Sequence, residues 1–78
     1  MEEQAILCEL GNRIKVQRKH IGLTQEQLAL VADVDRSYFG AVERGERNIT
    51  FIVLCRLCLA LRCDVATLTD GLPAIPAV

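Results

Sequence analysis

Arg36 and Ser37 stand side by side directly behind an acidic residue, Asp35, and ahead of Tyr38. A guanidinium presents a planar fork of donors that matches the O6 and N7 acceptors of guanine, and a hydroxyl beside it can take a base edge or a phosphate. Tyr38 can add a phosphate or thymine-methyl contact, and Gly40 allows a backbone to come close to a ligand. This chemistry reads nucleic acid if the three side chains open a helix whose end enters a major groove of double-stranded DNA. The competing role for Arg36 is an ion pair with Asp33 or Asp35.

The flanking residues predict such a helix. Thr24 and Gln27 form a capping box for a helix from Gln25 to about Val31, with Leu28 and Val31 facing inward and Ala29 leaving room for a neighbour. After the turn Ala32-Asp33-Val34, Asp35 caps a helix from Arg36 to about Arg44 that buries Phe39 and Val42 and stops at Gly45. Two short helices joined by so brief a turn have the shape of a helix-turn-helix. A longer helix from about Glu3 to His20 precedes them, carrying Ile6, Leu7, Leu10 and Ile14 at helical spacing and closed by Gly22, with Gly11 as a possible kink. Thr50 caps a fourth helix to about Leu61, and Asp64 caps a short fifth one ending at Gly71. The expected architecture is all-α: one domain over residues 1–71, and a tail over 72–78 that either frays or straps the domain.

The chain has 78 residues, 51% of them hydrophobic, with Tyr38, Phe39 and Phe51 its only aromatics. The core must therefore be aliphatic. A domain this small buries only about 60% of the surface its unfolded chain exposes, so a partner subunit would help it. A net charge of −1 argues against binding nucleic acid through charge alone. Its distribution is uneven, with Arg13, Lys15, Arg18 and Lys19 crowded together as either a basic face or a solvated helix surface. The apolar run Phe51 to Cys55 is stopped by Arg56 and, at five residues, is too short to span a bilayer. No secretory leader is visible, and a cytoplasmic location without membrane contact is expected.

The fourth helix carries more apolar surface than one core contact needs. Leu54, Leu57, Cys58 and Leu61 form one stripe, while Ile52, Cys55, Leu59 and Cys63 form a second beside it. A homodimer contact is the simplest cover for the second stripe, and the tail folding back is the alternative. Cys55 and Cys58 have zinc-ligand spacing but lie inside an apolar helix without a second pair, so inert packed thiols are expected and metal or redox roles are minor alternatives.

The stretches Leu-Thr-Gln-Glu-Gln-Leu-Ala, Val-Asp-Arg-Ser-Tyr-Phe and Val-Glu-Arg-Gly-Glu-Arg-Asn-Ile-Thr resemble the Cro/cI-like (XRE) helix-turn-helix family of transcriptional regulators. Within it the chain is similar to the controller proteins of restriction-modification systems. The resemblance covers about Leu10 to Leu68 and implies a five-helix, lambda-repressor-like DNA-binding domain. It implies that Gln25 holds a phosphate and braces the recognition helix, in keeping with the free amides and dipole at its helix start. It also implies that Arg44, Arg47 and Asn48 clamp phosphates, with Arg18, Lys19 and Arg13 as outer contacts. Glu43 is expected to brace Arg47 or Arg44 from within helical reach. Asp33 stands where this family's turn usually has Gly, and the left-handed backbone needed there suits Asp better than most residues.

An enzyme is not expected, because His20 has no triad or metal partner and no phosphate-binding glycine loop is present. No cofactor or metal is expected, and nothing beyond the fifth helix remains to bind a small ligand. These features point to a homodimeric, sequence-specific regulator with half-sites about one DNA turn, ~10 bp, apart. The rival is a protein-interaction module, an antitoxin or adaptor, built on the same fold.

Overall fold

Each helix begins where a side chain is present to take up its free amides. In the computed structural model, which describes residues 1–77, the described residues form α1 (Glu3–His20), α2 (Gln25–Ala32), α3 (Arg36–Glu43), α4 (Phe51–Leu61) and α5 (Val65–Thr69). Glu2, Thr24, Asp35, Thr50 and Asp64 are their N-caps, each accepting from the amide three residues on. At α2 the capping box is complete: Thr24 Oγ1 accepts from Gln27 N at 3.1 Å, and Gln27 Oε1 accepts from Thr24 N at 2.9 Å. The helix ends are equally explicit. Asp33 adopts the left-handed conformation (φ 56°, ψ 50°) expected of the turn, and Gly45 follows α3 at φ 76°.

The core draws a fully buried side chain from every helix: Ile14 from α1, Leu28 from α2, Phe39 from α3, Leu57 and Leu61 from α4 and Leu68 from α5. Helices this short are marginal alone and hold their shape through such packing. The inward stripe of α2 differs from the expected one, because Val31 is exposed and Ala29 and Ala32 are buried with Leu28. α2 packs against both α3 and α4, and the small side chains at 29 and 32 let those neighbours close in.

Gly11 does not kink α1. It is a point of contact, where a Cβ would lie 2.5 Å from the carbonyl oxygens of both Val42 and Glu43. Gly45 makes a similar contact nearer the start of α1, where a Cβ would meet Cys8 Sγ at 2.7 Å and Cys8 backbone at 2.8 Å. Two glycines thus let α1 lie directly on the C-terminal end of α3. Polar ties complete the frame. Arg13 Nη1 donates to the carbonyls of Leu68 (3.2 Å) and Asp70 (2.6 Å), and Gln17 donates to the carbonyl of Leu61 (3.1 Å).

The described residues of the tail beyond α5 do not cover α4. Leu72 packs against the core, but Ile75 is 85% exposed, and Phe51, Ile52 and Leu59 remain 65%, 65% and 82% exposed.

Gly11→Ala should lower stability by about 1–3 kcal/mol, the usual cost of forcing extra atoms into a filled contact. At an open mid-helix site the same change would stabilise by about 0.5–1 kcal/mol, so the sign of the effect decides. A thermal melt reads it, since ~1 kcal/mol moves the midpoint of such a domain by about 4–8 °C.

Candidate nucleic-acid interface

Phe39, Val42 and Glu43 share the buried face of α3, so the third of them brings a carboxylate into the interior. Arg18 meets it from α1. Its Nε donates to Glu43 Oε2 at 2.7 Å and its Nη2 to Oε1 at 3.1 Å, with side-chain exposures of 8% and 2%. The remaining nitrogen, Nη1, donates to the Leu23 carbonyl at 2.8 Å. Gln25 Nε2 adds a third donor to Glu43 Oε1 at 2.9 Å. One carboxylate therefore joins α1, α2 and α3, and a bidentate guanidinium pair with every donor edge occupied is the arrangement that offsets the burial of two charges.

Two expectations change here. Arg18 is not an outer phosphate contact, because its guanidinium is buried and its donors are spent inside the protein. Glu43 does not brace Arg47 or Arg44, because its carboxylate is taken up by Arg18 and Gln25. The signal was present in the register: Arg18 lies four residues beyond Ile14 on the buried stripe of α1, and Glu43 four beyond Phe39 on that of α3. Arg13 is likewise taken up by Glu9 (2.9 Å) and by the end of α5.

With residues 39 to 43 buried, the start of α3 is the part left open. Arg36 and Ser37 are exposed at its first turn. The alternative pairing of Arg36 is not made: among the described residues it forms no ion pair, and the Asp35 carboxylate is occupied in capping Tyr38 N at 3.0 Å. Tyr38 is half-buried and packs against the core, so its side chain is less free than those of Arg36 and Ser37. Gly40 and Arg44 follow Arg36 at four-residue intervals on the same face. A Cβ on Gly40 would lie 3.2 Å from Arg44 Nη1 and 3.6 Å from Gln25 Oε1, so both side chains lean over the bare backbone. Arg44, Arg47 and Asn48 are exposed around the end of α3.

Gln25 is half-buried and held by Glu43, which supplies the bracing expected of it. Its backbone amide, at the first position of α2, is among those a helix leaves without an internal partner and so stays suited to an anion.

The exposed apolar face of α4 consists of Phe51, Ile52 and Leu59, with Cys55 half-buried among them. Phe51 joins the expected set and Cys63 leaves it. Arg62 turns the chain through a left-handed conformation (φ 59°), and Cys63 then packs against the core. Burial pushes the Cys58 thiol up to about 12 and raises that of Cys63, so neither is a thiolate near neutral pH. Among the described residues no group of His, Cys, Asp or Glu is arranged to hold a metal ion, and no helix is long and apolar enough to cross a membrane.

A family model described as helix-turn-helix matches residues 14–68. Among curated proteins, the control protein C.SmaI of Serratia marcescens is 41% identical over 59 residues, covering 76% of this chain and 70% of its own. Among solved structures, the restriction-modification controller protein C.AhdI from Aeromonas hydrophila superposes with a TM-score of 0.80 at 41% identity, over 82% of this chain and 97% of that one. The controller protein C.Esp1396I, crystallised as a tetramer with its natural 35 base-pair operator, matches at 32% identity with a TM-score of 0.75, over 81% and 83%.

Arg18→Met should cost about 3–5 kcal/mol of stability by leaving Glu43 buried without its cation. Urea unfolding measures the loss. A phosphate-contact role for Arg18 predicts the reverse, an unchanged unfolding midpoint with a flatter salt dependence of DNA binding.

Proposed function

The chain belongs to the helix-turn-helix family, within which it is similar to restriction-modification controllers, and from that we propose that it is a sequence-specific DNA-binding transcriptional regulator of the controller type. The observation that carries this reading is the exposed first turn of α3. Arg36 and Ser37 stand there unengaged, at the open start of a helix whose later turns are anchored by Phe39, Val42 and Glu43. Set into a major groove, that turn brings a guanidinium fork and a hydroxyl to the base edges, and Arg36 reads a guanine. The amide end of α2 at Gln25 lies against the adjoining backbone, and Arg44, Arg47 and Asn48 grip phosphates beyond the other end of α3. Regulation then requires no chemistry, and the protein acts in the cytoplasm as a binder and not as an enzyme.

One such helix reads too few base pairs to pick out an operator. A second copy, docked through Phe51, Ile52, Cys55 and Leu59, would place two recognition helices on half-sites about one DNA turn, ~10 bp, apart and would cover the apolar face. The tetrameric operator complex of C.Esp1396I supports an assembly of several copies.

Selection from random duplexes should yield a partly palindromic consensus. Against it, Arg36→Ala should cost about 1–3 kcal/mol and relax the preference at one base pair, whereas Arg47→Ala should weaken all sequences alike and reduce the salt slope by about one unit. An Arg36→Ala protein that binds and discriminates like wild type would remove the recognition-helix assignment. Leu59→Glu, a charge placed on the dimer face, should sediment as a monomer at concentrations where wild type is a dimer, and should lose affinity for the full palindrome more than for a half-site.

A further inference from the structure

Three arginines stand on the surface around α3: Arg36 at its exposed first turn, and Arg44 and Arg47 at its C-terminal end and just beyond. Arg44 alone among them is in an ion pair. Its Nε donates to Glu46 Oε2 at 2.9 Å and its Nη2 to Glu46 Oε1 at 3.3 Å, while Nη1 lies over the bare backbone of Gly40. The Nε–Nη2 edge is one that can grip two oxygens at once, and a carboxylate and a phosphate compete for it on equal geometric terms. Both side chains are more than half exposed, 58% and 55%, so the pair is held in a place that a ligand can reach.

We infer that Glu46 is an intramolecular counter-ion of the DNA-binding face, which occupies the phosphate-gripping edge of Arg44 in the free protein and must be displaced when DNA binds. The inference rests on the reading of this face as a DNA interface. Glu46 has no other side-chain partner among the described hydrogen bonds, and the bond from Arg44 holds its carboxyl below the usual carboxylate range, with Arg47 also acting on it. The counter-ion therefore stays charged wherever the protein works, and it screens two of the three surface cations. Phosphate contacts dominate the sequence-independent component of DNA affinity and its salt dependence. By making one of them depend on breaking an ion pair, Glu46 raises the protein concentration at which DNA is bound. Gly40 belongs to the arrangement, since the space left by its absent side chain is where the guanidinium lies.

The test is a double-mutant cycle on Glu46→Gln and Arg44→Gln, with duplex DNA titrated at several salt concentrations. Glu46→Gln should bind DNA about threefold to tenfold more tightly than wild type at ~0.15 M salt, with a steeper salt slope, because it frees one guanidinium edge for a phosphate. In the Arg44→Gln background the same substitution should change affinity less than about twofold and leave the slope unaltered. Tight binding by Glu46→Gln that persists in full without Arg44 overturns the inference in favour of a general charge effect. A weaker or unchanged Glu46→Gln overturns it too, the weaker result making Glu46 a support that positions Arg44. If wild type itself binds no duplex, the DNA-binding reading falls and the inference with it, whereas wild-type binding with an unresponsive Glu46→Gln removes the inference alone.

Discussion

Glu43 is the point on which the geometry of this molecule depends. Its two oxygens accept from Arg18 on α1 and Gln25 on α2 while its own backbone belongs to α3. An ion pair at this depth adds little net stability over an apolar pair of equal volume, since two charges must be stripped of water. What it supplies is direction. Apolar packing around Phe39 would tolerate some rotation of an eight-residue helix, but a bidentate pair with planar requirements at both ends accepts few orientations. The exposed turn at Arg36 is therefore aimed by a contact at the other end of the same helix.

Close approach serves the same end. Gly11 and Gly45 bring α1 onto the last turn of α3 without intervening side chains, and Ala29 and Ala32 do so for α2. The recognition helix is thus gripped at both its C-terminal end and its inner face, while its N-terminal turn stays free. At Gly40 an absent side chain works outward: the side chains of Gln25 and Arg44 lean together over it on the ligand side.

The apolar face of α4 follows from size. A chain of 78 residues closes its core with one stripe of α4, and the remaining large side chains stay at 65–82% exposure. The described residues of the tail leave that face open, a contiguous apolar area of the kind that marks an interaction surface.

Much of this was legible in the chain as written. Caps, helix bounds, the left-handed turn at Asp33 and the core stripe of α4 are local matters, decided by side chains within four residues of one another, so Thr24, Asp35, Thr50 and Asp64 announce them directly, whereas on α1 only Leu10 and Ile14 of the expected stripe reach the core. The chemistry of Arg36 and Ser37 is equally local, because it depends on residue type and on standing at a helix start. Only the tertiary structure decided which cations are available. Arg18 and Arg44 look alike as letters, yet one is consumed in the interior by a carboxylate 25 residues away and the other is held on the surface by Glu46. Partner choice between long charged side chains depends on which helix faces meet and how closely, and that was set by Gly11, Gly45 and the small residues of α2, whose effect appears only when another helix arrives against them.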